Sequence, residues 1–471
     1  MANKKTFDLK KVAPGIIGIL IALAIIQIPQ TKLLTIVTLK TLAIFTWAII
    51  WWCFSVIPTY ATGILMLAFF VIFKCVSFAD SFSAFSGTSM WIMIGALIMV
   101  AGLIKIGVMR RLSLVIMKLF PGTFAGMTMG LMTVGTALTP LCPTAAAKTS
   151  ITAPFANSIA ATMGYEKNSP QSNGLFAAIW MTAGSGYPLF LSASFFNFTV
   201  KGLMPPEAQA SLDWFSWFKF IFPWGIVVIV GSYFAIKYLY ASGDKKSISK
   251  EFINKELESM GPMSTKEKIG ALLLIGCLVM WMTESVHGIS AALVVVVAMC
   301  IAMACEIVGP EEIKTKTAWD IVLFLGSIMG IPVVFAKTGV NEWMKLVLSP
   351  YLTPFLSNIV FFIIAGSIFI YLTRFVVVSM ITYFTMFSLL LMPVAINMGM
   401  HPFIVGIVGI TSTNVWLTAY QNPNFMIAMA FGGDNISFKP QAKMSMVYMV
   451  LNIIGLLACI PVWKFFGLLP V

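Results

Sequence analysis

Long apolar runs alternate with short polar segments along almost the whole of this chain. A helix needs roughly 20 apolar residues to cross the hydrocarbon core of a bilayer, and most of the runs have about that length. The runs predict transmembrane helices near 13–29, 34–57, 59–76, 87–104, 171–201, 219–241, 269–284, 289–305, 319–336, 402–431 and 443–469. Two further apolar stretches, 123–163 and 355–397, are interrupted and predict re-entrant hairpins. The pattern therefore predicts an all-α polytopic membrane protein with about eleven transmembrane helices plus two re-entrant hairpins.

The composition excludes several other classes of protein. Of the 471 residues, 59% are hydrophobic and 10% are charged, whereas soluble domains average about 45–50% and about 25%. Too few polar residues remain to cover a water-facing surface, which excludes a soluble enzyme, a disordered chain and a secreted disulfide scaffold. The seven cysteines are scattered without a CxxC pair and there are two histidines, so we expect no haem, zinc or other cofactor. The apolar core has no paired acids or catalytic histidine, which argues against an enzyme.

The formal net charge of +13 is explained by lysine-rich loops, so no nucleic-acid partner is expected. If the N-terminus is cytoplasmic, the predicted inside segments hold 20 of the 30 basic residues and the outside segments hold 8. This excess satisfies the positive-inside rule and predicts a multi-pass protein of the plasma (inner) membrane with its C-terminus outside. The other two basic residues, Lys148 and Arg374, fall at membrane depth, where charges are costly and functional by default. A snorkelling or ion-paired structural role is the alternative for each.

A polar linker over 241–268 divides the chain into two halves that match each other. Each half has an apolar hairpin followed by a broken helix. The tips fall near Leu141–Thr144 and Thr373–Ser379, and the breaks fall near Gly184–Asn197 and Tyr420–Asn424. The hairpins enter from opposite sides, so the halves form an inverted repeat. Paired broken helices in an inverted repeat point to a transport site near the middle of the membrane.

Prolines interrupt the first tip. Pro140 and Pro143 cannot both lie inside one regular helix, so the chain must unwind and restart near Thr144. A restarted half-helix directs free N–H groups and the positive end of its dipole inward, which favours an anion. An ordinary proline kink is the alternative, and the matching element in the second half disfavours it.

Polar side chains are dense at both breaks. The second break contains Gln421, Asn422 and Asn424, and the first contains Ser192, Ser194 and Asn197. Such residues are costly when they face lipid, so we expect them to line a cavity. Hydrogen bonding between helices is the alternative for any one of them.

The order of these elements resembles the divalent anion/sodium symporter family of di- and tricarboxylate transporters over nearly the whole chain. The resemblance includes a break that ends in Asn197 in the first half and, equivalently, in Asn424 in the second. That family carries a Ser-Asn-Thr signature at each tip, where this chain has Cys142-Pro143-Thr144 and Val377-Val378-Ser379. The resemblance implies that the tips and the broken helices contact the substrate carboxylates. The implied substrate-binding residues are Pro143, Thr144, Ser194, Ser379, Gln421 and Asn422, and the implied supporting residues are Cys142, Asn197, Thr373, Val378, Pro423 and Asn424.

The resemblance also implies a homodimer in which a transport domain moves against a static scaffold like an elevator. The expected segments are N-terminal scaffold helices (1–122), the first hairpin and broken helix of the transport domain (123–218), a connecting helix and cytoplasmic linker (219–268), second-repeat scaffold helices (269–354), the second hairpin and broken helix (355–442) and a last helix (443–471). We expect the linker to be a solvated connection, with an amphipathic surface helix as the alternative. The aromatic stretch Pro205–Lys219, which includes Trp214 and Trp217, predicts an interfacial belt.

The departures from the family signature concern sodium. In the family the first two signature positions help to hold sodium, but Cys142-Pro143 and Val377-Val378 offer no side-chain oxygen. Lys148 and Arg374 instead place a fixed cation close to each tip. We therefore expect these two residues to replace the sodium ions electrostatically. This predicts a sodium-independent exchanger of small dicarboxylates such as succinate, malate, fumarate or 2-oxoglutarate.

Three alternatives remain open. A sodium-coupled symporter of the same anions could hold sodium through backbone carbonyls and Thr139, Thr373 or Thr382. The substrate could be another oxyanion, sulfate or citrate. The third alternative is a channel or a membrane enzyme.

Overall fold

The computed structural model describes residues 9–241, 243–244, 246–249, 251–377 and 379–470, so the predicted site residue Val378 lies outside the described residues. The regular secondary structure of the described residues is helical, apart from one isolated β-bridge between Thr123 and Ser247. Its α-helices are α1 (Leu9–Ile26), α2 (Ile36–Phe54), α3 (Thr59–Ile72), α4 (Phe78–Ser81), α5 (Thr88–Lys105), α6 (Val108–Met117), α7 (Phe124–Leu138), α8 (Ala145–Thr162), α9 (Pro170–Ile179), α10 (Phe195–Gly202), α11 (Pro206–Ala210), α12 (Trp214–Tyr240), α13 (Glu251–Ser259), α14 (Thr265–Met282), α15 (Glu284–His287), α16 (Ala291–Ala304), α17 (Trp319–Met329), α18 (Ile331–Lys337), α19 (Val340–Ser357), α20 (Ile359–Thr373), α21 (Met380–Asn397), α22 (Pro402–Thr413), α23 (Pro423–Gly432) and α24 (Phe438–Phe465).

Seven of the described helices are long and apolar enough to cross a membrane. They are α2, α5, α7 extended to Leu141, α12, α17 together with α18, α21 and α24. An eighth span results if α19 and α20, which bend by 108° where they meet, are counted as one. Shorter apolar helices lie within α1, α3, α16 and α22. The prediction of an all-α polytopic membrane protein is confirmed, while the number of eleven crossings stays a prediction.

Both predicted hairpin tips are breaks between two helices. α7 ends at Leu138, a 3-10 turn contains Pro140, and α8 begins at Ala145. Proline lacks the N–H that a continuous helix requires, so the chain passes through extended backbone at Cys142 before it restarts. The second tip has no proline. There α20 ends at Thr373 and α21 begins at Met380, after a run of valines whose β-branched side chains weaken a helix.

The two broken helices meet in the core. The first leaves regular α-helix in a π turn at Trp180–Gly184 and resumes as α10, and the second stops at Thr413 and resumes as α23. The rings of Trp180, Trp416 and Phe425 lie with their centroids 4.9 to 5.8 Å apart. All three side chains are buried, so the breaks of the two halves lie side by side.

Helices of the two repeats pack against each other around these breaks. α8 packs against α23, α10 packs against α21 and α22, and α12 packs against α24. α7 lies so close to the first break that a Cβ added at Gly135 would lie 2.2 Å from the hydroxyl oxygen of Thr182. A second group pairs α5 with α16 and α3 with α17. Each hairpin therefore has an arm packed against an element of the other repeat.

The linker differs from the solvated connection that was expected. Its second part forms α13, and the guanidinium of Arg110 on α6 contacts the carboxylate of Glu256 at 2.7 Å. Arg111 contacts Glu267 at the start of α14 at 2.9 Å and donates to the carbonyl of Gly261 at 3.0 Å. The alternative of a surface helix is therefore correct for Glu251–Ser259, because opposite charges hold the linker against α6.

Candidate functional site

Four of the predicted substrate-binding residues lie at the start of four half-helices. Two of these half-helices follow the hairpin tips, and two follow the breaks in the broken helices. Thr144, Ser379 and Asn422 each accept a hydrogen bond from the backbone N–H three residues later, at 3.2, 3.3 and 3.1 Å. Ser194 accepts one from the N–H two residues later, at 3.2 Å. These are N-caps, which leave further free N–H groups and the positive end of the helix dipole beside the cap. The hydroxyls of Thr144 and Ser194 accept through oxygen, so among the described residues their hydrogens remain for donation to a carboxylate, whereas the hydroxyl of Ser379 also shares a hydrogen bond with that of Thr382 at 2.8 Å.

Lys148 is fully buried and links the first hairpin to the first broken helix. Its ammonium donates to the carbonyl of Ala193 at 3.2 Å, and Ala193 directly precedes the cap Ser194. The backbone N–H of Phe195 donates to the carbonyl of Pro143 at 3.3 Å. The first tip, the first cation and the start of α10 are therefore in direct contact.

Arg374 is also fully buried and joins three segments of the second half. Its Nε donates to the carbonyl of Thr413 at the end of α22, at 3.2 Å. Its two terminal nitrogens donate to the carbonyls of Val377 in the tip and Gln421 in the break. Gln421 directly precedes the cap Asn422. Each cation thus binds the carbonyl that precedes the N-cap of the broken helix in its own half. Unwound backbone carbonyls at breaks of this kind hold sodium in other secondary transporters.

The amide side chains of the site are held by backbone groups. Asn197 donates to the carbonyls of Tyr187 and Phe190 at 2.7 and 2.8 Å, so it fixes the loop before α10. The carbonyl oxygen of Gln421 accepts from two backbone N–H groups at 2.9 and 3.0 Å, while its amide nitrogen is buried without a hydrogen bond in the described part of the chain. Asn422 donates to the side chain of Asn414 at 3.0 Å. Gln421 therefore retains a buried donor that is available to an anion.

The other predicted supporting residues differ in their surroundings. Cys142 is fully buried in the first tip, and the hydroxyl of Thr373 forms a hydrogen bond with that of Tyr383. Pro423 is exposed at the first position of α23, where its missing N–H costs nothing. Asn424 is half-buried and lies two residues after its cap, whereas the buried Asn197 lies three residues after Ser194. Asn424 is therefore not the structural counterpart of Asn197, and its supporting role stays a prediction.

Within each half the structure brings the tip, the cation and the broken helix together. Between the halves, the hydroxyl of Tyr187 donates to the carbonyl of Ile410 at 3.0 Å, and the rings of Phe196 and Phe384 lie 5.7 Å apart. These contacts join α10 and its preceding loop to α21 and α22. The candidate residues of the two halves therefore lie on elements that contact each other.

The interpretation of the aromatic stretch as an interfacial belt is wrong for two of its tryptophans. Trp214 and Trp217 are buried. Their indole nitrogens donate to the hydroxyl of Ser192 at 2.9 Å and to the carbonyl of Pro188 at 2.8 Å, both on the first broken helix. The spacing of Trp214, Trp217 and Ile221 on one face of α12 was the signal of a buried stripe.

Known proteins match most of the length of this chain. A profile of the sodium:sulfate symporter transmembrane region matches residues 9–469. The L-tartrate/succinate antiporter of Escherichia coli (strain K12) is 24% identical over 336 residues, which cover 69% of this chain and 68% of that protein. A membrane protein of Cupriavidus necator is 25% identical over 344 residues, covering 68% of this chain and 66% of that protein. The crystal structure of the Alcanivorax borkumensis YdaH transporter aligns with a TM-score of 0.58 and 12% identity, covering 83% of this chain and 89% of that chain, which supports the fold alone.

Proposed function

Since the chain belongs to the sodium:sulfate symporter family, the divalent anion/sodium symporters that its sequence resembles, we propose that it exchanges one C4 or C5 dicarboxylate for another without sodium. Succinate, malate, fumarate and 2-oxoglutarate are the proposed substrates. Relatives about 25% identical are named L-tartrate/succinate antiporters, which supports both the substrate class and exchange. The proposal includes a homodimer in the plasma (inner) membrane, with the N-terminus cytoplasmic and the C-terminus outside, that carries out no chemical reaction and needs no cofactor.

The position of the two buried cations carries this proposal. Lys148 and Arg374 each donate to a carbonyl beside an N-cap, so each positive charge is fixed at the kind of backbone group that holds sodium in other secondary transporters. A dicarboxylate brings two negative charges and makes the loaded site nearly neutral. The empty site keeps two positive charges, and each costs about 2.5–3.5 kcal/mol at the centre of a bilayer on insertion scales. The empty carrier therefore resists crossing, and transport becomes exchange.

The half-helices supply the recognition. The capping hydroxyls of Thr144, Ser194 and Ser379 donate to the carboxylates, and the free N–H groups beside them stabilise the negative charge. Neutral donors and dipoles at fixed positions bind a dianion without pairing it tightly, so it can leave again. The proposed movement is an elevator-like shift of the transport domain against the scaffold, which gives alternating access.

Sodium-coupled uptake of a dicarboxylate, citrate or sulfate is the rival function, because the matched family is named for sodium:sulfate symport. Its oxygen ligands would include the hydroxyls of Thr139 and Thr382. Both already form hydrogen bonds, to the carbonyl of Gly135 at 2.6 Å and to the hydroxyl of Ser379 at 2.8 Å. These bonds leave oxygen lone pairs on both hydroxyls. Sodium would nevertheless have to approach a fixed cation near each tip, which favours exchange.

Trans-stimulation in proteoliposomes tests the substrate class. Labelled succinate is supplied outside in sodium-free buffer, and the vesicles contain one unlabelled anion from a panel. We expect internal succinate, malate, fumarate and 2-oxoglutarate to accelerate uptake, and sulfate or citrate to leave it at the rate of empty vesicles. Acceleration by sulfate or citrate alone would overturn the proposed substrate class.

A further inference from the structure

The first tip is held by a chain of side chains that the proposed transport mechanism does not use. The hydroxyl of Ser192, which is 2% exposed, donates to the carbonyl of Pro140 in the tip at 2.6 Å. The same hydroxyl accepts from the indole N–H of Trp214 at 2.9 Å. A hydroxyl has one hydrogen. Because the oxygen of Ser192 accepts from the indole, its hydrogen is directed to the tip carbonyl of Pro140.

In the second half a different side chain connects the tip to the broken helix. There the guanidinium of Arg374 donates to both the tip carbonyl of Val377 and the break carbonyl of Gln421, so one side chain joins tip to broken helix. In the first half Lys148 reaches the break carbonyl of Ala193. An ammonium does not have the planar fork that spans two carbonyls, and Ser192 makes the corresponding contact with the tip.

Trp214 also touches a helix of the predicted scaffold. Its ring stacks on that of Trp281 at the end of α14, with centroids 6.1 Å apart and an interplanar angle of 29°. Trp281 is itself fixed, because its indole donates to the carbonyl of Ala291 at 3.2 Å. A gap of about 20 Å³ separates Pro140 and Ser192 from α5, α14 and α16, which leaves room for about one water. The first tip is therefore packed against the predicted scaffold at the place where Trp214 contacts it.

We propose that Ser192 and Trp214 are positioning residues that fix the first tip, and that the stacking of Trp214 on Trp281 makes this hold depend on where the transport domain lies against the scaffold. When the transport domain moves, the stack is lost, the indole no longer orients Ser192, and the tip loosens. The dependence on the position of the transport domain and the consequence for substrate affinity rest on the proposed function, whereas the hold of Ser192 and Trp214 on the tip does not.

The buried thiol of Cys142 reports on the tip without any transport assay. In a variant that keeps Cys142 and has the other six cysteines replaced by serine, alkylation by a maleimide is timed in detergent without substrate. We expect Ser192→Ala and Trp214→Phe to accelerate alkylation by roughly three- to tenfold, the factor for losing one net hydrogen bond. Trp281→Ala should do the same, while Ser192→Thr should restore protection because it keeps the hydroxyl.

Trp217→Phe is the matched control, because it removes an equally buried indole bond that ends on Pro188 and not on the tip. Alkylation in the Ser192 and Trp214 variants no faster than in this control would overturn the positioning role. An unchanged rate in Trp281→Ala would overturn the dependence on the scaffold. Trp214→Phe keeps the hydroxyl of Ser192 and removes only the indole N–H that orients it, so it decides the matter if Ser192→Ala fails to fold.

Exchange kinetics supply a second readout. We expect Ser192→Ala and Trp214→Phe to raise the KM for external dicarboxylate several-fold while the maximal rate stays within about twofold of the wild type. A fall in maximal rate with unchanged KM would contradict a positioning role. If the wild type transports no dicarboxylate at all, the proposed function fails, and the alkylation rates still decide whether these residues position the tip.

Discussion

Replacing Lys148 by methionine should weaken the requirement for a counter-substrate. The ammonium is fully buried, and its side-chain hydrogen bond among the described residues goes to the carbonyl of Ala193 at 3.2 Å. Methionine has a similar length and is flexible and apolar, so it fills the same space and removes only the charge and that one bond. The empty carrier would then hold one buried positive charge in place of two.

The magnitude follows from the cost of a buried charge. Removing one charge lowers the barrier for the empty carrier by at most about 2.5–3.5 kcal/mol. This corresponds to a return of the empty carrier that is faster by up to roughly 70- to 400-fold. Exchange should slow at the same time, because the bound dianion loses one of its two compensating charges. The ratio of net uptake to exchange therefore rises.

The assay compares initial uptake of labelled succinate into empty and succinate-loaded proteoliposomes without sodium. Lys148→Arg keeps the charge and should keep the wild-type ratio. Lys266→Met removes an exposed lysine that pairs with Glu306 on the surface, and it should also leave the ratio unchanged. If Lys148→Met lowered both rates by the same factor, the charge would not be the reason for exchange.

Three further outcomes are expected. Arg374→Lys keeps the charge but cannot reach three carbonyls at once, and each buried carbonyl left unpaired costs about 1–3 kcal/mol. The thermal midpoint of this variant should therefore fall by several degrees. A midpoint equal to that of the wild type would contradict the three contacts. Thr144→Ala loses an N-cap worth about 1 kcal/mol and a donor to the carboxylate, so its KM should rise about tenfold or more, and Thr144→Ser should retain the wild-type KM. The hydrogen bonds from Lys105 and from the Gly309 N–H hold the pKa of Glu312 below its usual range, so this stabilisation exists above the unfolded pKa of about 4.3 and is lost as pH falls through the lower folded pKa. The difference in thermal midpoint between the wild type and Glu312→Gln should accordingly be present at pH 7 and shrink below about pH 4, and a difference independent of pH would contradict it.

Much of the architecture was predictable because its causes are local. Pro140 and Pro143 exclude a regular helix wherever the rest of the chain goes, so the first tip and the restart near Thr144 follow from sequence. The apolar runs likewise give the fold class, because their length is set by the bilayer.

The partners of the two cations were not predictable from the sequence. Lys148 bonds to a residue 45 positions away and Arg374 to one 47 positions away, and the fold decides which carbonyl lies there. The equivalence of Asn197 and Asn424 failed because the two breaks differ in length and only the caps align. Trp214 was misjudged because tryptophan is common both at membrane interfaces and in buried stripes, and only packing distinguishes the two.

Sodium-free uptake of labelled dicarboxylate into loaded and empty proteoliposomes tests the central claim most directly, namely that fixed cations replace sodium at the two breaks. We predict rapid uptake when the vesicles contain an unlabelled dicarboxylate, little uptake when they are empty, and no increase in either rate on adding sodium. Uptake into empty vesicles that is strong and depends on sodium would contradict the account.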